Sequence, residues 1–314
     1  MENEGLPAVK LPDWRTWRTV TYLLLIAVAV TLVVIYWHEL AAIWRDQALT
    51  FVGAMVVMTL GTFVQAHNFL EFLDTPIVVR VRRFAPVWAW GALANYVAPL
   101  QAGGIAVRVA WLARHKINMS SSLLATWRQL IVSLWVSLAG LATGLLLTGD
   151  PRGRWPALVL LVAWLGAAVL RKLLLAALSD LRRPQWVVRR KDLLHSAAAG
   201  ITLRGVAGVV VQYVLGAVVV YLVYSRFGAP IDVGQAVILA CIVYVATIVA
   251  VLPANLGVLE VIYMLVGHGF GMSVEQVGAL AVLLRVAHIV SNGLLVILGA
   301  VVFRGPRKNT GSVL

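Results

Sequence analysis

Residues 251–267 read "VLPANLGVLEVIYMLVG". The stretch is apolar enough to sit in lipid, yet Pro253, Asn255 and Gly257 interrupt it, and a carboxylate, Glu260, follows the interruption. Proline removes a backbone donor and glycine frees the backbone, so a helix entering here stops and a second one starts beyond it. In hydrocarbon such a break survives only where protein or a wet cavity covers the freed amide and carbonyl groups. The stretch therefore predicts an all-α membrane protein whose interrupted helices border a polar site.

Composition points the same way. Of 314 residues, 61% are hydrophobic and 12% charged, and the mean hydropathy of +0.90 lies well outside the soluble range. Apolar runs recur from residue 19 to residue 303, so a single integral membrane domain over 1–314 is expected, with no sizeable soluble domain. Val20–Trp37 follows Trp14, Arg15, Trp17 and Arg18 and lacks a small-residue cleavage site after it, which reads as a retained helix. The balance of 26 Lys+Arg against 13 Asp+Glu gives +13. Those basic residues cluster at the ends of apolar segments, where they mark cytoplasmic loops and meet anionic headgroups; no nucleic acid is implied. The single cysteine, Cys241, excludes a disulfide within the chain.

Six segments reach the about 20 residues that a spanning helix needs: 19–37, 48–70, 121–147, 156–178, 201–224 and 276–303. Two further regions, 84–116 and 234–270, are interrupted centrally at "APLQAGG" (98–104) and "LPANLG" (252–257). Both read as helix–break–helix. Arg80, Arg82 and Arg83 precede the first region and Arg114, His115 and Lys116 follow it, so both of its ends read as cytoplasmic. The second lies between "SRFGAPID" (225–232) and "GMSVEQ" (271–276), whose only Lys or Arg is Arg226. The basic stretches "SDLRRPQWVVRRKD" (179–192) and "RGPRK" (304–308) fall on the opposite side. The expected topology is about six transmembrane helices plus two re-entrant helical hairpins entering from opposite faces, with both termini cytoplasmic. Residues 1–150 and 151–314 each read helix, helix, hairpin, helix, which makes the second half an inverted copy of the first. Pro99 and Pro253 each have glycine four residues later, Gly103 (followed by Gly104) and Gly257.

A charge at a helix centre costs about 2.5–3.5 kcal/mol on insertion scales, so each must face protein or a wet cavity. Arg108 and Glu260 follow the two breaks, while Arg128 and Arg285 lie well inside the third and last spans. The functional reading is a polar site at the hairpin tips. The arginines hold an anionic headgroup there, and Glu260 neutralises an arginine or takes a proton. The alternative is an ion pair of Glu260 with Arg285 or Arg108 that pins the two hairpins together. Asn95, Gln101 and Asn255 lie around the breaks, where they hydrogen-bond a ligand or cap freed backbone groups. Gln65, His67 and Asn68 end the second span and read as interfacial polarity, and Arg204 reads as snorkelling. His67, His268 and His288 belong to no HExxH or close His/Asp/Glu cluster, so neither a metal nor another cofactor is expected. The "LRRPQWVVRRKDLL" stretch (181–194) reads as lying on the cytoplasmic leaflet. With no GxxxxGK[ST] loop, nucleophile elbow or pair of catalytic carboxylates, an enzyme is not expected.

Two blocks carry a family resemblance. "APLQAGGIAVRVAWLARHKINMSSSLLATWRQL" (98–130) resembles a Pro-x-x-x-Gly-Glu…Arg stretch followed by a basic loop, a Ser and an Arg-bearing helix. "LPANLGVLEVIYMLVGHGFGMSVEQVGALAVLLRVAHIV" (252–290) resembles a Leu-Pro-Gly-Gly-Leu-Gly-x-x-Glu segment with the arginine-bearing helix after it. Together they are similar to the lysylphosphatidylglycerol synthase transmembrane-region family, which includes the flippase half of the multiple peptide resistance factor. The resemblance covers most of the chain and implies lipid translocation between leaflets, or handling of a lipid-linked headgroup. By position it points to Pro99, Gly103, Arg108, Arg128, Pro253, Gly257, Glu260 and Arg285. Gly104 stands where the family often has Glu, and Leu259 replaces a frequent Arg, so the site carries fewer acids than usual. That argues against a cationic aminoacyl lipid and for an anionic headgroup. The aminoacyltransferase domain of the fused proteins has no counterpart in these residues, so lysyl-lipid synthesis is not implied.

The expected function is thus a lipid flippase or transporter of the bacterial cytoplasmic (inner) membrane. Its partner is a membrane lipid, and a homo-oligomer is compatible with the sequence. The alternatives are a membrane-embedded enzyme or accessory subunit acting on a polyprenyl or phospholipid substrate, and a structural partner whose charges are all paired internally.

Overall fold

The computed structural model describes residues 27, 37–73, 80–98, 101–180, 200–226, 229, 231–248, 255, 258–269 and 271–302. The first apolar segment apart from residues 27 and 37, the basic 181–194 stretch, and Pro99, Pro253 and Gly257 lie outside these residues. Among the described residues the structure is all-helical: α1 (Trp37–Glu71), α2 (Val81–Ala94), α3 (Ala102–Arg114), α4 (Met119–Leu147), α5 (Pro151–Asp180), α6 (Leu203–Arg226), α7 (Val233–Ile248), α8 (Val258–Gly269) and α9 (Val274–Val302).

Four helical stretches among them are long and apolar enough to cross a membrane: Gln47–Glu71, Met119–Leu147, Leu203–Arg226 and Gln276–Val301. Each falls within a few residues of an expected span. The 30-residue α5 contains the expected 156–178 segment and docks on α4, where Trp164 Nε1 donates to the Trp135 carbonyl at 3.1 Å. The helices flanking the breaks are short, with 14, 13, 16 and 12 residues in α2, α3, α7 and α8. At 1.5 Å per residue they reach about 18–24 Å, less than the roughly 30 Å hydrocarbon core. The chain is an all-α, multi-pass membrane protein.

Its surface is apolar in the way lipid requires. On α1, Val52, Val56 and Leu60 recur every four residues and are exposed, while Phe51 and Ala54 on the opposite face are buried. On α6 the outward Val210, Val214 and Val218 oppose the inward Val209, Gln212 and Tyr213. This is helical periodicity with its polarity turned inward.

Because lipid is as apolar as leucine, helix association here rests on close packing and interhelical hydrogen bonds. α1 packs along α6, α4 along α7, α2 along α9, and α1 also along α9. Thr62 Oγ1 donates to Asn292 Oδ1 between α1 and α9, and Tyr213 Oη donates to the Ser133 carbonyl between α6 and α4 at 2.9 Å. α4 and α7 approach closely through glycine: a Cβ on Gly234 would sit 2.6 Å from the Gly144 carbonyl oxygen and 2.7 Å from the Thr148 nitrogen. Gly234→Ala is therefore expected to lower stability by about 1–3 kcal/mol, as overpacking does. Gly293→Ala, where nothing lies within 4 Å of the added atom, is expected to be neutral or slightly stabilising. Unfolding in detergent, measured on both variants, checks the pair.

Candidate functional site

The two interrupted regions converge on one cavity of about 350 Å3, whose wall draws on every described helix except α5. The first break is built from local rules. α2 ends at Ala94, and Asn95 Oδ1 accepts the Gly104 N–H at 2.6 Å, satisfying one of the orphan donors of α3. A Cβ on Gly103 would lie 2.5 Å from the Ala94 carbonyl oxygen, so only glycine lets α3 begin against the end of α2. Gln101 adopts the left-handed conformation (φ 56°), and its side-chain amide donates to the carbonyl of Thr247 in the last turn of α7. The first break thus caps the helix that leads into the second. Asn255, inside the second break, is also left-handed (φ 55°); it is buried, and its Oδ1 has no donor among the described residues.

The three arginines behave differently. Arg108, only 9% exposed, lines the cavity with its guanidinium over the Trp88 ring (4.2 Å to the centroid) and near Phe69 (5.5 Å). Its Nε is buried without an acceptor, and no acidic side chain pairs with it among the described residues. Trp88 is itself held by donating Nε1 to Gln65 Oε1 at 3.0 Å. Arg285 also lines the cavity and is paired: its Nε donates to Glu260 Oε1 at 3.0 Å, and Nη2 reaches the same oxygen. The Tyr96 ring lies 5.5 Å from the Arg285 guanidinium, and the Tyr96 hydroxyl meets His288 Nδ1 at 3.3 Å. Glu260, Arg285, Tyr96 and His288 thereby join α8, α9 and the first break. Arg128, 1% exposed, does not line the cavity; its Nη1 donates to the Phe72 carbonyl at 2.7 Å, at the C-terminal end of α1.

Among the residues singled out from sequence, the structure thus brings Asn95, Gln101, Arg108, Asn255 and Arg285 into one cavity wall. Glu260 stands behind the wall on Arg285, and Arg128 stands apart. Two residues taken for interfacial polarity are not interfacial. Gln65 faces the cavity and Asn68 is fully buried, because the turn of α1 that carries them packs against α2 and α6 rather than facing headgroups. Arg204 is exposed, as snorkelling requires. Sequence reasoning missed Gln129, Gln212, Tyr96, Tyr213, Tyr244 and Tyr263, and weighed His288 only as a metal ligand; all seven are in the wall. Gln212, Tyr244 and Tyr263 gave little signal beyond a polar group in an apolar run such as "VVVQYVLG", while Gln129 and Tyr96 stood beside the more conspicuous Arg128 and Asn95. No group of three or more His, Cys, Asp or Glu able to hold a metal occurs among the described residues.

The fold and site define a multi-pass helical membrane protein with an arginine-bearing polar cavity between broken helices. The chain belongs to the family described as the lysylphosphatidylglycerol synthase TM region, whose model matches residues 21–299, and it is a membrane protein related to lipid handling. No curated protein and no solved structure matches it.

Two measurements check the division among the arginines. A double-mutant cycle on Glu260→Gln and Arg285→Met is expected to give a coupling of about 1–3 kcal/mol in detergent unfolding, as for residues in direct contact. Arg128→Met is expected to lower the melting temperature in the same measurement, since it removes a helix-end contact and no cavity group.

Proposed function

We propose that the protein is a lipid flippase or transporter that binds an anionic lipid headgroup in this cavity while the acyl chains remain in the bilayer. One observation carries the reading: Arg108 is a buried guanidinium in the wall of a cavity, held on aromatic rings without an acidic partner among the described residues. A charge so placed is costly, and phosphate is the acceptor that offsets it best. The exposed amides of broken helices add anion affinity without a further formal charge.

The architecture supports movement around that site. In this reading α2–α3 and α7–α8 are re-entrant hairpins, being too short to span, and the chain is an inverted repeat split at residue 150. Five features support the repeat. The breaks share Pro-x-Gln/Asn-x-Gly, with the left-handed residue, Gln101 or Asn255, at the same place in each. α4 packs on α7 as α9 packs on α2, and α1 meets α6, its own equivalent. The Thr62–Asn292 bond between α1 and α9 has a counterpart between α6 and α4 in Tyr213 with Ser133 and Ser137. Inverted repeats with broken helices at a central site are a transporter architecture. The basic loops orient both termini toward the cytoplasm of a bacterial inner membrane. Glu260 completes the site by holding Arg285 in position, and no covalent chemistry is involved.

The test is translocation of acyl-chain-labelled phospholipids in proteoliposomes. The full chain is expected to move an anionic lipid, and Arg108→Met to reduce the rate at least about tenfold, the effect of losing one charge-assisted contact. If neither protein moves any lipid faster than protein-free vesicles, the reading fails.

A further inference from the structure

The cavity does more than hold an anion. Six carboxamides line it: Gln65, Asn95, Gln101, Gln129, Gln212 and Asn255. Three have committed work, since Gln65 orients Trp88, Asn95 closes the first break and Gln101 caps α7. Gln129, Gln212 and Asn255 line the cavity too, and of these the Gln212 side chain also meets the Tyr244 hydroxyl. Gln212 Oε1 and Asn255 Oδ1 are buried acceptors that receive no hydrogen bond among the described residues, and both side chains are more than nine-tenths buried. A buried polar group left unmade costs more than a made bond gains, so these acceptors call for donors supplied from the cavity.

A carboxamide offers a donor and an acceptor side by side, which matches a hydroxyl group, itself both donor and acceptor. An ammonium group would call for carboxylates, and among the described residues none lines the cavity while two guanidiniums do. A volume of about 350 Å3 falls within the roughly 300–1,000 Å3 of small-ligand sites.

Resting on the lipid-headgroup reading above, we infer that the headgroup is a phosphodiester bearing an uncharged polyhydroxyl group, a sugar or polyol. Arg108 takes the phosphate, and Gln129, Gln212 and Asn255 take the hydroxyls. Gln212 and Asn255 determine specificity rather than anchor the charge.

The test uses the purified full-length protein with five lipids of matched acyl chains: phosphatidylinositol, phosphatidylglycerol, phosphatidic acid, phosphatidylethanolamine and phosphatidylcholine. Retention is read by native mass spectrometry and translocation in proteoliposomes. Phosphatidylinositol and phosphatidylglycerol are expected to exceed phosphatidic acid, and phosphatidic acid to exceed the two amine lipids. Each step should be about three- to tenfold, the discrimination of one or two hydrogen bonds. Gln212→Met and Asn255→Gly, the latter keeping the left-handed backbone, are expected to lower binding of the two polyol lipids to that of phosphatidic acid. Arg108→Met should lower all three anionic lipids together. Equal retention of phosphatidic acid and the polyol lipids, or preference for an amine lipid, overturns the inference while leaving transport standing. Polyol-selective retention without translocation overturns the transporter reading and leaves the headgroup class intact. Soluble inositol 1-phosphate and glycerol 3-phosphate form a further arm: if they displace the lipids fully at similar concentration, the hydroxyl-phosphate chemistry holds and the lipid source fails.

Discussion

A helix that stops inside a membrane leaves amide and carbonyl groups that no water is present to satisfy, and this chain interrupts its helices twice. Much of the local structure around the cavity follows from answering that demand. Asn95 supplies an acceptor to the first turn of α3, and the Gln101 side chain supplies a donor to the end of α7. The Thr247 hydroxyl donates to the Tyr244 carbonyl within that same end. Gly103 permits the contact of α2 and α3 that the first answer requires. The groups that terminate the helices are thereby also the groups that make the cavity polar, so finishing the helices and building the site are one arrangement.

Three buried arginines pose one electrostatic problem and receive three solutions. Arg128 is bound by the Phe72 carbonyl at a helix end, where the dipole is favourable to a cation. Arg285 meets a carboxylate, and removing either member of such a pair leaves an uncompensated charge. Arg108 rests on the faces of Trp88 and Phe69, a cation–π arrangement worth about 2 kcal/mol or more when desolvated. That is comparable to the insertion cost of about 2.5–3.5 kcal/mol, and no acidic side chain among the described residues adds to it. Only the third solution keeps a charge responsive to what enters the cavity. The aromatic cluster of Phe69, Phe84, Trp88 and Trp111 is therefore part of the site as much as part of the core.

Much of the architecture was legible in sequence. The observed helices flanking the breaks, 81–94 with 102–114 and 233–248 with 258–269, follow the interrupted regions expected at 84–116 and 234–270. The Glu260–Arg285 pair was one of the pairings the sequence left open, and it is the one the fold makes. Arg128 and Gln129 were less legible. They are adjacent, and the more expensive residue drew the functional reading, yet Gln129 lines the cavity and Arg128 does not. Gln65 and Asn68 show the same difficulty, because their place near the end of a span looks interfacial until the packing of α1 is known.

By itself the sequence determined where the helices must stop, that the chain lives in lipid, and that its few charges need shelter. Those are local properties: run length, proline and glycine placement, and the cost of a charge in hydrocarbon. Only the tertiary structure decided which arginine meets a carboxylate, which meets a carbonyl and which is left facing a cavity of amides. Neighbours on a helix point about 100° apart, and which of those directions faces a partner, a ring or an open space depends on helices distant in the chain.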